Sequence, residues 1–213
     1  MDIQTLTFVM EIIGTISFAA SGAMIGIQHK MDVFGVSVLG VITSVGGGMM
    51  RDLVLGIIPP NVFVDPIYAL IASIVSVIIF LIAKYGGVLN REGFKCHYDR
   101  SMWIMDTIGL GIFTAVGVSI GVRHGYLNNA FLLVFLGTIS GVGGGVIRDI
   151  MANEPPYILY KHIYACASIV GAIVCVIGYR NATPNTAMII SSLTVMLIRF
   201  LAIWFKWNLP SIK

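Results

Sequence analysis

Stretches of about 20 predominantly apolar residues recur along this 213-residue chain, and they limit what it can fold into. A stretch of that length crosses the hydrocarbon core of a bilayer as an α-helix, in which every backbone polar group finds its partner within the segment. Charged residues make up 11% of the sequence, whereas they make up about 25% of a soluble domain. The sequence therefore predicts an all-α integral membrane protein with a single membrane domain, residues 1–213.

Seven such stretches predict seven transmembrane helices. Double prolines follow the second and the fifth stretch, at Pro59–Pro60 and Pro155–Pro156, and proline cannot continue a helix. Short connections rich in turn-forming residues separate most of the other stretches. The predicted spans are 6–28, 33–56, 66–85, 103–122, 130–152, 161–179 and 186–205.

Lysine and arginine are distributed unevenly between the two ends of the spans. The ends on the side of the amino terminus carry Arg123 and Arg180. The opposite ends carry Lys30, Lys84, Arg91, Lys95, Arg100, Lys161, Lys206 and Lys213. Because basic residues are enriched in cytoplasmic loops, the amino terminus is predicted outside and the carboxyl terminus in the cytoplasm. We expect a bacterial inner membrane, because the chain is compact and shows no targeting segment. The net charge of +3 is assigned to loops and not to nucleic-acid binding.

The chain carries one unusual motif twice. Residues 46–52 read GGGMMRD, and residues 143–149 read GGGVIRD. The match extends beyond the motif at an offset of 95 to 97 residues, which indicates an internal duplication. The further matching segments are 11–22 with 106–117, 45–52 with 142–149, and 67–75 with 163–170.

Each copy of the duplication holds three spans. Because three is odd, the second copy enters the membrane from the opposite side, and the uneven basic charge agrees with that arrangement. We therefore predict an inverted repeat, a plan common among secondary transporters. The predicted units are repeat 1 at residues 6–85, repeat 2 at 103–179, and a seventh helix at 186–205 outside the duplication.

The glycine triplets predict a bend or, as we expect here, a break in the second and fifth helices, because glycine costs about 1 kcal/mol per residue in a helix interior. A broken helix exposes carbonyls that suit a cation and N–H groups that suit a carboxylate. The alternative is close packing, since small residues let membrane helices approach each other. The predicted pore or substrate residues are Gly46, Gly47, Gly48, Gly143, Gly144, Gly145, Thr43, Ser44, Thr138 and Ser140, with transient K⁺ or Na⁺ near the Gly46 and Gly143 carbonyls.

Each triplet is followed by an arginine and an aspartate inside a span, where charged residues are costly and mark functional sites. Neighbouring residues on a helix do not face each other. We therefore predict ion pairs across the repeat, Arg51 with Asp149 and Arg148 with Asp52. The alternative is that each aspartate caps the amino-terminal end of a half-helix.

Three further charged residues lie in or near the spans. Glu11 and Asp106 occupy matching positions in the two repeats. They lie either at the membrane interface or along an ion path. Arg199, in the seventh span, is expected to extend toward the inner membrane surface.

The two GGGxxRD segments with their double prolines, the three-plus-three-plus-one layout and the outside amino terminus resemble the TRIC (trimeric intracellular cation) channels. The resemblance covers nearly the whole chain and is closest to the bacterial branch known as the glycine transporter family. It implies a homotrimer with a pore in each subunit, and kinked second and fifth helices with their glycine triplets at the constriction. It also implies permeation by K⁺ and other monovalent cations, and glycine is the substrate assigned to the bacterial branch.

Two functions therefore stay open, a passive channel for K⁺ and Na⁺ or a secondary transporter of glycine. Both would use the same predicted site, so the residues do not separate them. The chain contains no His-Glu-x-x-His, Gly-x-Ser-x-Gly or P-loop motif, and we predict neither enzymatic activity nor a cofactor. The expected partners are monovalent cations or glycine, membrane lipids and further copies of the chain, with no nucleic acid.

Overall fold

The computed structural model describes residues 2–85, 94–160, 163–205 and 207, without the side chains of residues 94–99 and 160. The described residues form helices joined by short connections and contain no strand. Seven of the helices are long and apolar enough to cross a membrane, which confirms the predicted all-α fold with seven spans. The helices are α1 (Ile3–Gln28), α2 (Val33–Val54), α3 (Asn61–Val64), α4 (Ile67–Tyr85), α5 (Phe94–Arg123), α6 (Ala130–Met151), α7 (Tyr157–Tyr160), α8 (Tyr164–Asn181) and α9 (Pro184–Trp204).

Local capping shifts the starts of α1 and α9 by a few residues from the predicted positions, whereas α5 begins at Phe94, nine residues before its predicted span of 103–122. Helix α1 begins at Ile3, where the Asp2 carboxylate accepts a hydrogen bond from Ile3 N at 2.8 Å. Helix α9 begins at Pro184, which suits the first helical position because it lacks an N–H group. The preceding Thr183 hydroxyl accepts from the backbone of Thr186. These shifts leave the number and order of the spans as predicted.

The glycine triplets do not break their helices, so that prediction is wrong. Helix α2 runs without interruption from Val33 to Val54, and α6 runs without interruption from Ala130 to Met151. The triplets lie where these two helices cross each other, one from each repeat. Contacts across the crossing, which a local propensity argument cannot include, offset the cost of the glycines.

The backbones of α2 and α6 touch at the crossing. A Cβ atom on Gly47 would overlap the carbonyl oxygen of Ser140, and a Cβ atom on Gly144 would overlap the carbonyl oxygen of Thr43. Each glycine triplet thus packs against the helical turn that precedes the triplet of the other helix. The alternative interpretation of the triplets, close helix packing through small residues, is confirmed.

Equivalent contacts recur in the two halves, as the inverted repeats require. Helix α1 approaches α2 where a Cβ on Gly22 would meet the Thr43 hydroxyl. Helix α5 approaches α6 where a Cβ on Gly117 would meet the Ser140 hydroxyl. These glycines and these hydroxyl residues occupy matching positions in the duplication. The two three-helix bundles therefore share one packing scheme.

Helix α9 lies outside the two bundles and packs on the second. The Ser191 hydroxyl donates a hydrogen bond of 2.8 Å to the Gly171 carbonyl of α8. On α5, a Cβ at Gly111 would come within 2.8 Å of the Ser192 carbonyl. Between the bundles, the rings of Phe18 and Phe113 stack with their centroids 5.3 Å apart. Helix α9 thus adds side chains to repeat 2 that repeat 1 does not receive.

Candidate functional site

A cavity of about 370 Å³, lined by both apolar and charged residues, lies at the face of the bundle that carries the amino terminus. We call it the amino-face cavity. It lies among the beginnings of α1 and α4 and the ends of α2 and α5, which meet at this face because the spans alternate in direction. Its lining residues are Thr7, Glu11, Thr15, Ser44, Val45, Gly48, Met49, Arg51, Asp52, Asn61, Val62, Val64, Asp65, Tyr68, Phe113, Ile120, Arg123 and His124.

A carboxylate and a phenol meet on one wall of this cavity. The Tyr68 hydroxyl on α4 donates a hydrogen bond of 2.6 Å to Oε2 of Glu11 on α1. Glu11 is half-buried. Thr15 lies one turn deeper along α1 and is also part of the lining. The wall therefore presents oxygen atoms from the face of the bundle down to the middle of α1.

Arg51 and Asp52 form an ion pair at the end of α2. Nε and Nη2 of Arg51 both donate to Oδ1 of Asp52, at 2.9 and 2.7 Å. Oδ2 of Asp52 accepts a hydrogen bond of 2.9 Å from Asn61 N at the start of α3. Both side chains are buried, and both residues line the cavity.

The predicted ion pairs across the repeat are therefore wrong, because each arginine bonds to the aspartate that follows it. An arginine side chain is long enough to fold back over its own helix end and meet a neighbouring carboxylate. The alternative, in which each aspartate caps a half-helix, is wrong as well, because α2 and α6 are continuous. Each aspartate instead accepts a hydrogen bond from the first backbone N–H of the short helix after the double prolines. Asp52 meets α3 in this way and Asp149 meets α7.

The same arrangement recurs on the opposite face, at the end of α6. Arg148 Nε donates to Oδ1 of Asp149 at 2.9 Å, and Oδ2 of Asp149 accepts from Tyr157 N at 2.8 Å. Here, however, the arginine makes two more contacts. Nη1 of Arg148 donates to Oδ1 of Asp106 at 2.9 Å and to the Ser21 hydroxyl at 2.7 Å.

Asp106 receives a second cation from outside the duplication. Nη2 of Arg199 on α9 lies 3.3 Å from Oδ2 of Asp106, and Nε of Arg199 donates to the Thr107 hydroxyl at 3.1 Å. The Arg199 guanidinium stacks over the Tyr164 ring at 4.5 Å. Only 4% of Arg199 is exposed, so the expectation that it extends to the membrane surface is wrong. We call Asp106, Arg148, Asp149, Tyr164 and Arg199 the carboxyl-face cluster.

The two faces thus carry matching residues, but these residues have different partners on each face. Glu11 matches Asp106 and Tyr68 matches Tyr164 in the duplication. The Tyr164 hydroxyl lies 3.4 Å from Oδ1 of Asp106, in parallel with the Tyr68 bond to Glu11. On one face the pair lines a cavity, whereas on the other it is buried against two guanidiniums.

Sequence reasoning did not single out the two tyrosines or Ser21 as site residues. A signal for the tyrosines existed, because the matching segments 67–75 and 163–170 both contain Ile-Tyr-Ala. Ser21 has no matching signal, since the equivalent residue of repeat 2 is Val116.

The predicted pore residues are distributed between the cavity and the helix crossing. Ser44 and Gly48 line the amino-face cavity. All four predicted hydroxyls donate to the preceding helical turn: Thr43 to Leu39 O, Ser44 to Val41 O, Thr138 to Val134 O and Ser140 to Leu136 O. Gly46, Gly47, Gly143 and Gly144 lie at the crossing, and Gly145 lies beside the carboxyl-face cluster. Cation binding at the Gly46 and Gly143 carbonyls stays a prediction, now without the helix breaks that would free those carbonyls.

Two inverted three-helix bundles with buried charges are an arrangement common among membrane transport proteins. The sequence profile of the glycine transporter family matches residues 8–84 and again residues 103–180. The chain is 35% identical to the inner membrane protein YadS of Escherichia coli over 97% of its own length and 96% of YadS. The chain belongs to the glycine transporter family.

Solved structures with the same fold are TRIC channels. The TRIC channel orthologue from Rhodobacter sphaeroides is 27% identical with a TM-score of 0.85, and the match covers 95% of this chain and 100% of that one. A prokaryotic TRIC channel with a crystal structure in 0.5 M KCl is 31% identical with a TM-score of 0.87, and the match covers 97% and 100%. This similarity confirms the resemblance to TRIC channels that the motifs indicate.

Proposed function

We propose that the protein is a channel that conducts monovalent cations, K⁺ and Na⁺, through a pore within each subunit. The amino-face cavity is the observation that carries this proposal. It reaches from one face of the bundle to Thr15, Ser44 and Phe113, which lie near the middle of their spans. Charged and hydroxyl side chains at that depth are costly unless they face the bundle interior or a transport path, so their presence along a cavity favours a transported species. The similarity to TRIC cation channels supports the same function.

The charge of the cavity lining favours cations. The lining contains the carboxylates of Glu11, Asp52 and Asp65 against the guanidiniums of Arg51 and Arg123. One sign of charge in a cleft with low-dielectric walls concentrates ions of the opposite sign. The excess of one carboxylate is therefore expected to raise the local concentration of K⁺ and Na⁺ over that of anions.

The crossing of α2 and α6 is the proposed constriction beyond the cavity. Ser44 and Gly48 would line the path, whereas Gly47 and Gly144 would hold the two helices together. On the opposite face, the carboxyl-face cluster fills the position that matches the cavity. Conduction would require this cluster to separate, so the structure corresponds to a closed pore in this proposal.

Glycine transport is the alternative function. A substrate cavity at one face of two inverted bundles is what an alternating-access transporter presents in one of its states. The name of the matched family favours this alternative. In that case the glycine carboxylate would bind at a guanidinium of the cavity, and its ammonium group would bind at a carboxylate.

The proposal also includes the division of the chain into repeats and its orientation in the membrane. We propose repeat units at residues 6–85 and 103–179 with a seventh helix at 186–205, supported by the matched contacts of the two halves. We propose that the amino terminus lies outside and the carboxyl terminus lies in the cytoplasm, because basic residues are concentrated on the carboxyl-terminal side. Five of the eight on the cytoplasmic side have side chains outside the described part of the chain: Arg91, Lys95, Lys161, Lys206 and Lys213.

The proposed setting is a homotrimer in a bacterial inner membrane. YadS is an inner membrane protein, and the Rhodobacter sphaeroides channel is a trimeric one. Helix α4 presents an outward apolar face that would contact membrane lipids. Its exposed residues include Leu70, Ile74 and Ile78.

Flux measurements on reconstituted protein test the proposal. Thr15 lines the cavity, and the matching residue of repeat 2 is Leu110, so Thr15→Leu gives repeat 1 the residue of the closed side. Purified protein in liposomes is expected to pass K⁺, and Thr15→Leu is expected to lower that flux at least about tenfold, because the leucine replaces a hydroxyl and narrows the path. Ile16→Leu, on the exposed face of the same helix, is the control and should conduct as the wild type does.

Radiolabelled glycine uptake by the same liposomes separates the two functions. Saturable uptake of glycine with little K⁺ flux would establish the transporter and contradict the channel. K⁺ flux that Thr15→Leu leaves unchanged would show that ions take a path other than the amino-face cavity.

A further inference from the structure

Glu11 differs from the other acids of the amino-face cavity in its partners. Asp52 is bound by Arg51 and by Asn61 N. Asp65 is exposed and accepts a bond of 3.2 Å from Ile67 N. Glu11 accepts from the neutral hydroxyl of Tyr68, and among the described side chains no cation lies within ion-pair distance of it. Among the described residues, Glu11 is therefore the acid of the cavity lining that forms neither an ion pair nor a hydrogen bond with a helix end.

The matching acid of repeat 2, Asp106, shows how the protein itself can supply cations to a carboxylate at this position. Asp106 is ion-paired with Arg148 at 2.9 Å and with Arg199 at 3.3 Å. The matching Arg51 binds Asp52 through Nε and Nη2 and forms no ion pair with Glu11, whereas Arg148 binds Asp149 through the same two atoms and Asp106 through Nη1. Arg199 belongs to the helix outside the duplication, so repeat 1 has no residue that matches it. The same carboxylate–tyrosine pair is neutralised by protein cations on one face and left for an ion from solution on the other.

The atoms around Glu11 suit a small monovalent cationic group. Carboxylate and hydroxyl oxygens are hard ligands for alkali cations, and they also accept hydrogen bonds from a primary ammonium group. The Tyr68 hydroxyl uses its proton toward Glu11, so its oxygen lone pairs are available to a cation. A cavity of about 370 Å³ holds a partly hydrated ion or a molecule of the size of glycine, since water occupies about 30 Å³ per molecule in the liquid.

We propose that Glu11 and Tyr68 form a binding site for a monovalent cationic group at the mouth of the transport path, either K⁺ or Na⁺ or the ammonium group of glycine. This inference rests on the proposed transport function and names the residues that select its substrate by charge. The matching pair, Asp106 and Tyr164, is the same site occupied by the side chains of Arg148 and Arg199.

The test measures transport as a function of substrate concentration in liposomes that carry wild type, Glu11→Gln or Tyr68→Phe. Glu11→Gln is expected to raise the half-saturating concentration of K⁺ about tenfold, which corresponds to a binding loss of about 1.4 kcal/mol. Tyr68→Phe keeps the charge and is expected to cause a smaller change of about threefold. Asp65→Asn removes the same charge from the exposed rim of the cavity and is the comparison that separates a site from a general field effect.

Two arms of the experiment identify the cationic group. If the group is an alkali ion, Glu11→Gln changes the K⁺ dependence of flux; if it is an ammonium group, the variant changes the glycine dependence of uptake. A change in Asp65→Asn as large as that in Glu11→Gln would overturn the inference, because the charge would then act without a site. An unchanged half-saturating concentration in Glu11→Gln would overturn it as well, with the transport function still standing.

A binding measurement makes the outcome independent of transport. Ligand that binds the folded state raises the melting temperature, so KCl or glycine, each compared with choline chloride at equal ionic strength, is expected to stabilise the wild type more than Glu11→Gln. If the wild type transports neither substrate but shows this difference, the site stands and the proposed function fails. If neither substrate stabilises the wild type more than the variant, the site is contradicted. Gel filtration of each variant in detergent establishes that it is folded.

Discussion

Arg199 lies on the helix outside the duplication, yet its Nη2 atom is 3.3 Å from Oδ2 of Asp106 in the second repeat. Arg148 of the same repeat binds the other oxygen of that carboxylate at 2.9 Å. No helix outside the duplication supplies an arginine to the first repeat in this way. The matching acid of that repeat, Glu11, lines the amino-face cavity instead. The two matching sites thus differ in two protein cations: Arg199, from the helix outside the duplication, and Arg148, whose counterpart Arg51 binds Asp52 and not Glu11.

Replacement of Arg199 tests whether this contact closes the carboxyl face. Arg199→Gln leaves Asp106 with Arg148 as its remaining cation, and removing one partner from a buried ionic cluster costs about 3–5 kcal/mol when no other partner is left. Because Arg148 stays, we expect a smaller loss of about 1–2 kcal/mol in the free energy of unfolding. We also expect a higher K⁺ flux per protein, since the closed side is weakened. Thermal denaturation and liposome flux on the same preparation measure both effects.

Arg180→Gln is the matched control for this prediction. Arg180 is exposed and donates to the Leu127 carbonyl at 3.3 Å, so its loss should change stability by less than about 0.5 kcal/mol. A variant of Arg199 that loses stability but conducts no more than the wild type would show that the cluster has a structural role only.

The helix crossing predicts opposite effects for two neighbouring glycines. Gly47→Ala places a Cβ against the Ser140 carbonyl, and such overpacking typically costs about 1–3 kcal/mol. Gly48→Ala meets only Nη2 of Arg51, at 3.7 Å, and alanine favours a helix over glycine by up to about 1 kcal/mol. Unfolding in mixed micelles should therefore show a destabilised Gly47→Ala and a neutral or stabilised Gly48→Ala. Equal effects at the two positions would argue against close contact of α2 and α6 at this point.

Double-mutant cycles test the pairing of the buried charges. Arg51 and Asp52 should show a coupling energy between about 0.5 and 3 kcal/mol, because they share two hydrogen bonds. Arg51 and Asp149, the pair expected from the repeat alone, should be additive within about 0.5 kcal/mol. The unfolding free energies of the single and double alanine variants provide both values. A large coupling between Arg51 and Asp149 would contradict the observed contacts.

Much of the fold is readable from the sequence because its signals are local. The length of each apolar run predicts a span without reference to any other part of the chain. The duplication appears as matched residues at a nearly constant offset, and an odd number of spans in each copy sets its inversion. The two bundles and the extra helix follow from these two observations.

The details of the site depend on contacts between distant residues, and sequence reasoning missed them for that reason. The cost of three glycines is local, whereas the contact that offsets it joins Gly47 to Ser140 on another helix. Arg199 finds its partner at Asp106, 93 positions earlier in the chain. The pairing of Arg51 with Asp52 is local, but the directions of neighbouring residues on a helix argue against it, and the long arginine side chain overrides those directions.

Current measurements across a planar bilayer test cation conduction through the amino-face cavity most directly. With unequal KCl concentrations on the two sides, the wild type is expected to carry currents that reverse close to the K⁺ equilibrium potential, and Glu11→Gln is expected to move the reversal potential toward that of Cl⁻. Wild-type currents that reverse midway between the two equilibrium potentials, or at the Cl⁻ potential, would contradict a cation-selective pore in this protein.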